Sequence, residues 1–187
     1  MKLPIALSNK HIHLSQADLE ALFGEGYELT HKKDLSQPGQ FACEEMVEVV
    51  GPKGSTKMRV LGPTRPESQV EVSLADARGL GIAVPVRQSG DVEGTPGCKL
   101  VGPKGEVEMS RGVIVAARHI HMSLEDAEKF GVKDKDIVSV QTQGERALLF
   151  NNVLVRANAA FALEMHVDLE EGNAAGVKNG DLVELVK

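Results

Sequence analysis

The chain has 187 residues, of which 42% are hydrophobic and 26% charged, and its formal net charge is −6. This is the composition of a globular protein with one large domain or two small ones. The negative charge argues against a nucleic-acid partner, and no apolar run is long enough to span a membrane. The N-terminus lacks the long apolar stretch of a signal peptide, so we expect a cytoplasmic protein with free thiols at Cys43 and Cys98.

Four segments share one pattern, in which polar and apolar residues alternate, Ser or Asp follows, and an acidic residue comes three positions later. They are residues 11–18, 69–76, 119–126 and 164–171. The alternating half is typical of a β-strand with its apolar side chains on one face. The core-facing residues that this predicts are Ile12, Val70, Ile120 and Met165. The second half indicates a helix that begins with a capping residue and an acid that reaches back in a capping box. The predicted caps are Ser15, Ser73, Ser123 and Asp168.

The predicted helices are short and end at glycines, as glycine C-caps would. These glycines are Gly24, Gly81, Gly131 and Gly176. Strand patterns follow Gly131 and Gly176, and residues 51–54 and 102–105 repeat a Gly-Pro-Lys-Gly sequence that suits a tight turn. Short strands, short helices and two similar halves favour a mostly-β, barrel-like fold with internal pseudosymmetry. A doubly wound α/β fold is the weaker alternative, because no helical pattern is long enough.

Histidines and glutamates recur at one register of this repeat. Side chains two apart on a strand lie on the same face, about 6.5–7 Å apart at their Cα atoms, so both imidazoles of a His-x-His pair can converge on one ion. The candidate metal ligands are His11, His13, Glu71, His119, His121 and His166. Imidazole with carboxylate suits Zn²⁺ and also other divalent metals such as cobalt or iron. Six ligands exceed the need of one tetrahedral ion, which indicates two. His31 lies outside the register and is expected at the surface.

Arg65 is the arginine best placed to bind an anion such as phosphate. It lies in a Gly-Pro-Thr-Arg-Pro segment, a rigid loop four residues before the strand that carries Glu71. A guanidinium there could hold phosphate through two hydrogen bonds. We expect Arg87 and Arg118, like most of the arginines, to be surface charges, and Lys10 occupies before His11 the place that Arg118 has before His119. The sequence shows no Ser-His-Asp order, phosphate-binding loop or dinucleotide fingerprint, and neither cysteine has a neighbouring histidine.

Taken in order, several pieces of the chain resemble the PduL-type phosphotransacylases. The pieces that carry the resemblance are residues 8–15, 62–65 with 69–72, 85–91, 118–122 and 161–166. They cover essentially the whole chain with compatible spacing. That family transfers an acyl group between coenzyme A and inorganic phosphate. Its members act on propanoyl groups in propanediol-degrading bacterial microcompartments and on acetyl groups in related settings.

The resemblance implies a fold and a ligand set. The fold would be two small β-barrels capped by short helices, with a two-zinc active site between them. One domain would comprise residues 1–9 with 117–187 and the other residues 10–116. The resemblance implies that His11, His13 and Glu71 serve one metal, that His119, His121 and His166 serve the other, and that Arg65 holds the phosphate.

The predicted activity is phosphate acyltransfer, in which phosphate attacks the thioester of propanoyl-CoA or acetyl-CoA directly with the help of the metal. Two alternatives remain: a zinc-dependent hydrolase of a thioester or small ester, and a module that stores or senses metal. A homodimer is the commonest state of soluble oligomers. Microcompartment members usually carry an amphipathic N-terminal extension, whereas seven residues precede Ser8 here. We therefore expect a cytoplasmic enzyme, or a microcompartment enzyme whose extension has been removed.

Overall fold

A computed structural model describes residues 1–186, which form strands and four short helices. The strands are β1 (Lys2–Ser8), β2 (His11–His13), β3 (His31–Asp34), β4 (Phe41–Val50), β5 (Ser55–Gly62), β6 (Gln69–Glu71), β7 (Val86–Arg87), β8 (Cys98–Val101), β9 (Glu106–Met109), β10 (Val113–Ala116), β11 (His119–Met122), β12 (Ile137–Gln141), β13 (Leu149–Ala157), β14 (Glu164–Asp168) and β15 (Leu182–Val186). The helices are α1 (Gln16–Phe23), α2 (Leu74–Leu80), α3 (Leu124–Phe130) and α4 (Leu169–Ala175). The prediction of a mostly-β fold with short helices is confirmed, and the doubly wound alternative is wrong.

Contacts divide the chain into two compact units. The first unit contains Met1–Asn9, Ser36–Pro38 and the chain from Ala117 onward. Within residues 1–186, its six strands form a closed barrel in the order β1-β14-β11-β13-β12-β15, and β1 pairs with β15 to close it. The barrel encloses an aliphatic core that includes Leu3, Ile5 and Met122, all with no exposed side-chain surface.

The second unit contains Lys10–Leu35 and Gly39–Ala116. Its strands form one curled, half-barrel sheet in the order β7-β10-β6-β2-β5-β4-β8-β9, with β3 on the edge of β4. The core beneath this sheet is again aliphatic and includes Leu14, Val60 and Leu100. The two units therefore differ in closure, since the sheet of the second unit is open where the first is a complete barrel.

The four sequence repeats pair two by two within these sheets. Strand β2 pairs antiparallel with β6, and β11 pairs antiparallel with β14. The apolar residues predicted to face the core are Ile12, Val70, Ile120 and Met165, and all four are fully buried. Because the pairing is antiparallel, the polar residues of one repeat lie directly opposite those of its partner.

The predicted helix ends are confirmed, with one difference in detail. Each of the four capping side chains accepts a hydrogen bond from the backbone N–H three residues later. The reciprocal capping box forms at Asp168, where Glu171 reaches back to the cap. In the three serine-capped helices the serine hydroxyl instead donates to the aspartate carboxylate. We attribute this to the aspartate side chain, which is one methylene shorter than that of Glu171.

The glycines and turns also follow the sequence pattern. Gly81, Gly131 and Gly176 end their helices in the left-handed region, with φ of 77°, 63° and 67°, a conformation that glycine adopts without a Cβ penalty. Gly24 ends α1 at φ 116°. The two Gly-Pro-Lys-Gly turns join β4 to β5 and β8 to β9, each closed by a hydrogen bond of 2.9 Å between its first and last glycines. Among residues 1–186, no helix has the length and apolar character that crossing a membrane requires.

Candidate functional site

The second unit brings His11, His13 and Glu71 together as one candidate ligand group. In the β2–β6 pair, His11 lies opposite Glu71. The His11 Nε2 nitrogen is 3.4 Å from one Glu71 carboxylate oxygen, and His13 Nε2 is 3.9 Å from the other. All three side chains are buried, and their candidate ligand atoms lie within 4.8 Å of one another. We call this group the first triad.

The electrostatics of the first triad favour the protonation states that a metal needs. Burial, then the charges of His11 and Arg65, lower the pKa of His13 to about 3, so that its imidazole is neutral near neutral pH. Burial alone would raise the pKa of Glu71. The charge of His11 and its hydrogen bond, followed by the charge of His13, outweigh burial and hold that pKa well below its ordinary value. The triad therefore offers a neutral imidazole and an ionised carboxylate as ligands.

A polar network joins Arg65 to the first triad. The Arg65 Nη1 donates to the Ser89 hydroxyl oxygen at 3.1 Å, and that hydroxyl donates to Glu71 Oε1 at 2.8 Å. Gln69 Nε2 donates to the same Glu71 oxygen at 2.6 Å and to Ser89 at 2.9 Å. The side-chain amide oxygen of Gln69, Oε1, in turn accepts a hydrogen bond from the Gly90 N–H at 2.7 Å. Ser89 is thus the link between the candidate anion-binding arginine and a candidate metal ligand.

Backbone contacts hold the Arg65 loop in place. The Arg65 N–H donates to the carbonyl of Leu14 at 2.9 Å, and Arg65 forms an isolated parallel bridge with Ser15. Ser15 N–H also donates to the hydroxyl of Ser68 at 2.8 Å. Since Leu14 and Ser15 directly follow the His11–His13 strand, the loop that carries Arg65 is fixed to the same strand that carries two of the candidate ligands.

The first unit brings His119, His121 and His166 together as the second triad. His119 lies opposite His166 in the β11–β14 pair, and their rings are stacked with centroids 5.1 Å apart. The His121 ring centroid is 4.7 Å from that of His119 and 4.9 Å from that of His166. The candidate ligand atoms of the three imidazoles lie within 4.8 Å of one another. A Phe161 ring contacts His121, with centroids 4.5 Å apart.

A carboxylate lies beside the second triad. Glu164 Oε2 is 3.2 Å from His166 Nε2, and the Ser36 hydroxyl donates to the same oxygen. Burial alone would raise the pKa of Glu164. The close contact with His166 and the hydrogen bond from Ser36 outweigh burial and lower the pKa of Glu164. In the β11–β14 pair Glu164 lies opposite His121, which is the place that Gln69 takes opposite His13 in the β2–β6 pair.

Comparisons with known proteins place this chain in a family. The sequence model of the phosphate propanoyltransferases matches residues 4–178. A protein of Thermotoga maritima with the name phosphate propanoyltransferase is 57% identical over 185 residues, which cover 98% of this chain and 88% of that protein. Proteins of the same name from Salmonella typhimurium and Clostridioides difficile are 54% and 50% identical over 95% and 98% of this chain, and over 85% and 88% of their own lengths.

The chain belongs to the phosphate propanoyltransferase family. It is therefore an enzyme of the acyltransferase class, and the resemblance read from the sequence motifs is confirmed. The chain aligns with these relatives over nearly its entire length, so the two triads and the Arg65 loop all lie in the region that this family shares.

In this member of the phosphate propanoyltransferase family, both triads have donor atoms that suit a divalent metal. Three protein ligands with a further position for water or substrate are the composition of catalytic zinc sites. In the first triad the Nε2 atoms of His11 and His13 face the two oxygens of the Glu71 carboxylate, so two imidazole nitrogens and a carboxylate converge within 4.8 Å. The Nδ1 of His119 lies 2.9 Å from the Ala117 carbonyl. Because a carbonyl only accepts, that nitrogen carries the proton and leaves Nε2 as the ligand atom.

The remaining sequence predictions have mixed outcomes. His31 is exposed and pairs with Asp34 at 2.7 Å, as expected of a surface residue. Cys43 and Cys98 are free and buried, as predicted for thiols. Arg118 is more than a surface charge, because it is partly buried and forms an ion pair with Glu171 at 2.6 Å. Ser89 was missed as a site residue, although it lies inside residues 85–91, a piece that carried the family resemblance.

Proposed function

We propose that this chain transfers a short acyl group, propanoyl or acetyl, between coenzyme A and inorganic phosphate. The name of the relatives, phosphate propanoyltransferase, supports phosphate and propanoyl groups as substrates. The observation that carries the proposal is the hydrogen-bonded path from Arg65 through Ser89 to Glu71, which links a candidate anion-binding side chain to a candidate metal triad. This juxtaposition is what an enzyme needs to present phosphate to an electrophile.

Two zinc ions per chain form part of the proposal. His11, His13 and Glu71 would hold one, and His119, His121 and His166 would hold the other. A bound Zn²⁺ supplies positive charge, which stabilises a developing oxyanion and a thiolate leaving group. Support comes from the donor sets, since imidazoles with a carboxylate, or three imidazoles, are ligand combinations of catalytic zinc sites.

Arg65 is proposed to bind and orient the phosphate. Its guanidinium presents N–H donors in a planar fork that matches two phosphate oxygens, and such charge-assisted hydrogen bonds are stronger than neutral ones. The hydroxyl of Ser89 fixes the direction of that fork. Phosphate held in this way would attack with its nucleophilic oxygen already oriented, which lowers the entropic part of the barrier.

The proposed reaction is a direct transfer without an acyl-enzyme. A phosphate oxygen forms a bond to the thioester carbonyl carbon, the carbon–sulfur bond breaks, and the proton of hydrogen phosphate ends on the sulfur of coenzyme A. The cysteines support this route, because burial is the main cause that raises the pKa of Cys43 to about 11 and that of Cys98 to about 12. Neither thiol supplies a thiolate nucleophile near neutral pH.

One assay tests the proposed function. Propanoyl-CoA is incubated with the zinc-loaded enzyme, with and without phosphate, and free thiol and acyl phosphate are measured together. We expect thiol release to require phosphate and each released thiol to be matched by one acyl phosphate. Thiol release without phosphate, with free propanoate as the product, would show a zinc hydrolase instead. If no thiol were released with or without phosphate, the remaining interpretation would be a module that stores or senses metal.

A further inference from the structure

A basic residue directly before each His-x-His pair forms an ion pair with a helix acid in the same unit. Lys10 Nζ lies 2.7 Å from Asp76 Oδ1, and Arg118 Nε lies 2.6 Å from Glu171 Oε1. Asp76 and Glu171 are each the third residue of the helix that follows the partner strand, α2 and α4. The two ion pairs therefore occupy equivalent places in the internal repeat, although one uses Lys–Asp and the other Arg–Glu.

Both ion pairs lie at the end of the strand pair where the ligands meet. His11 is opposite Glu71, and Lys10 directly precedes His11, the first residue of β2. In the same way His119 is opposite His166, and Arg118 is the residue before it. Strands β2 and β6 have three residues each, so their ladder contains few hydrogen bonds. The ion pair beside the last rung adds a side-chain contact at the end of this short ladder.

The contacts of these side chains tie strand to helix. Asp76 also accepts from the hydroxyl of its helix cap, Ser73, at 3.1 Å. Glu171 accepts from the backbone N–H of its cap, Asp168, at 3.1 Å. Each cation therefore connects the start of a His-x-His strand to the first turn of the helix after the partner strand. A shift of one strand along the other would break this connection.

Partial burial of both partners distinguishes these two pairs from the other lysine and arginine ion pairs of residues 1–186, in which the acid is more than half exposed. The side chains of Lys10 and Asp76 are 28% and 23% exposed, and those of Arg118 and Glu171 are 32% and 25% exposed. The Arg118 guanidinium also donates to the Asn151 carbonyl at 2.9 Å and lies 5.4 Å from the centroid of the Phe150 ring. Exposed surface pairs contribute little, whereas partly buried pairs with further hydrogen bonds hold a defined geometry.

We propose that Lys10 and Arg118 are positioning residues, each of which fixes the two-strand register of the metal triad beside it. The inference rests on the metal sites of the proposed function. Lys10 acts on the first triad and Arg118 on the second, so each residue governs the affinity of one site. Outer contacts that orient metal ligands change metal affinity by about 10- to 100-fold when they are removed.

The test is a titration with Co²⁺ in two variants, each of which has one triad disabled. The visible absorption of bound Co²⁺ measures the binding. His121→Ala disables the second triad and leaves the first to report, and His13→Ala does the reverse. In the His121→Ala background, Lys10→Gln is expected to weaken Co²⁺ binding about tenfold or more while Arg118→Gln leaves it unchanged. In the His13→Ala background the result is expected to be reversed: Arg118→Gln weakens Co²⁺ binding and Lys10→Gln leaves it unchanged. Lys10→Arg and Arg118→Lys should recover most of the affinity, because they keep the charge.

Matched controls come from ion pairs away from the triads. Lys99, which pairs with Glu106 at 2.8 Å, and Lys129, which pairs with Glu125 at 2.7 Å, are replaced by glutamine in the same backgrounds. These controls are expected to leave Co²⁺ affinity unchanged. Thermal unfolding of the metal-free variants separates loss of register at one site from general loss of stability, which would weaken both sites together.

Three results would overturn the proposal: equal weakening in both backgrounds, no weakening at all, or no recovery with the charge-conserving variants. If the glutamine variants do not fold, Asp76→Asn and Glu171→Gln carry the same test from the acidic side and must give the same selective loss. The titration needs neither acyl-CoA nor phosphate. An enzyme that shows the selective loss but forms no acyl phosphate would therefore contradict the proposed function alone, and a wild-type chain that binds no Co²⁺ would contradict the positioning role.

Discussion

The Arg65 guanidinium donates a hydrogen bond to the hydroxyl oxygen of Ser89, with 3.1 Å between the nitrogen and the oxygen. This contact fixes the orientation of the Arg65 side chain through a serine that lies 24 residues further along the chain. Because Ser89 also donates to Glu71, the direction of Arg65 and the position of a candidate metal ligand depend on each other.

Replacement of Arg65 by alanine is expected to impair the use of phosphate far more than that of coenzyme A. A lost charge-assisted hydrogen bond costs about 1.5–3 kcal/mol, which corresponds to roughly a 10- to 150-fold fall in kcat/KM for phosphate. Steady-state kinetics with each substrate varied in turn would measure the effect. Arg146→Ala is the matched control, since Arg146 is exposed, lies in the first unit and belongs to neither triad. Equal losses for phosphate and coenzyme A would remove Arg65 from phosphate binding.

Replacement of Ser89 by alanine is expected to give a smaller effect of the same kind. The substitution keeps Arg65 and its charge but removes the hydroxyl that orients the guanidinium, so a loss of about 0.5–1.5 kcal/mol is expected, as for a neutral hydrogen bond. The KM for phosphate should rise while that for coenzyme A changes little. In the double variant with Arg65→Ala the two losses should add only in part, because the Ser89 hydroxyl acts on phosphate binding partly through Arg65. Full additivity would show that Ser89 acts independently of Arg65.

Replacement of His121 by alanine is expected to lower both metal content and turnover. His121 supplies one of three candidate ligand atoms that lie within 4.8 Å of one another, and a site with two remaining imidazoles binds a divalent ion more weakly. Metal analysis after dialysis should show about one ion fewer per chain than in the wild type. His31→Ala is the control, because His31 is exposed and belongs to neither triad. An unchanged metal content in the His121 variant would contradict the second metal site.

The stability of the metal-free protein is expected to fall as the pH drops below about 6.5. Burial, then the charges of His11 and Arg65, lower the pKa of His13 from 6.5 to about 3. Between these values the unfolded chain binds a proton at this position that the folded chain does not, so acid favours unfolding, and above about pH 6.5 His13 has no effect. Urea unfolding at about pH 7, 6 and 5 would measure the slope, which His13→Gln should flatten. Identical slopes for the two proteins would contradict this account of His13.

The two thiols are expected to resist alkylation in the folded protein. Burial, then the charge of Glu45, raises the pKa of Cys43, and burial, then the charge of Glu108, raises that of Cys98. Because the thiolate is the reactive form, iodoacetamide at about pH 8 should label neither cysteine quickly, and activity should survive the treatment. Mass spectrometry of the treated protein checks the labelling. Rapid loss of activity together with labelling of one cysteine would reopen the question of a thiol nucleophile.

Much of the fold follows from local patterns in the sequence. The alternation around Ile12 and Ile120 predicts strands, and Ser15, Ser73, Ser123 and Asp168 predict helix starts, because these signals act over two to four residues. The register of the histidines and of Glu71 identifies the six candidate ligands, and the family resemblance divides them into the two groups that the structure brings together. The domain boundaries, the zinc site between two barrels, the homodimer and the cytoplasmic location stay predictions.

The sequence by itself determined the repeated strand-and-cap unit and the residues that it places on one strand face, since side chains two apart on a strand share a face whatever the strand pairs with. Only the tertiary structure decided which repeats pair. The β2–β6 and β11–β14 ladders set His11 opposite Glu71 and His119 opposite His166. The tertiary structure also decided that Arg65 forms a hydrogen bond with Ser89 and that Arg118 forms an ion pair with Glu171. Those partners are separated by many residues, and strand register and loop packing, rather than local spacing, bring them within hydrogen-bond distance.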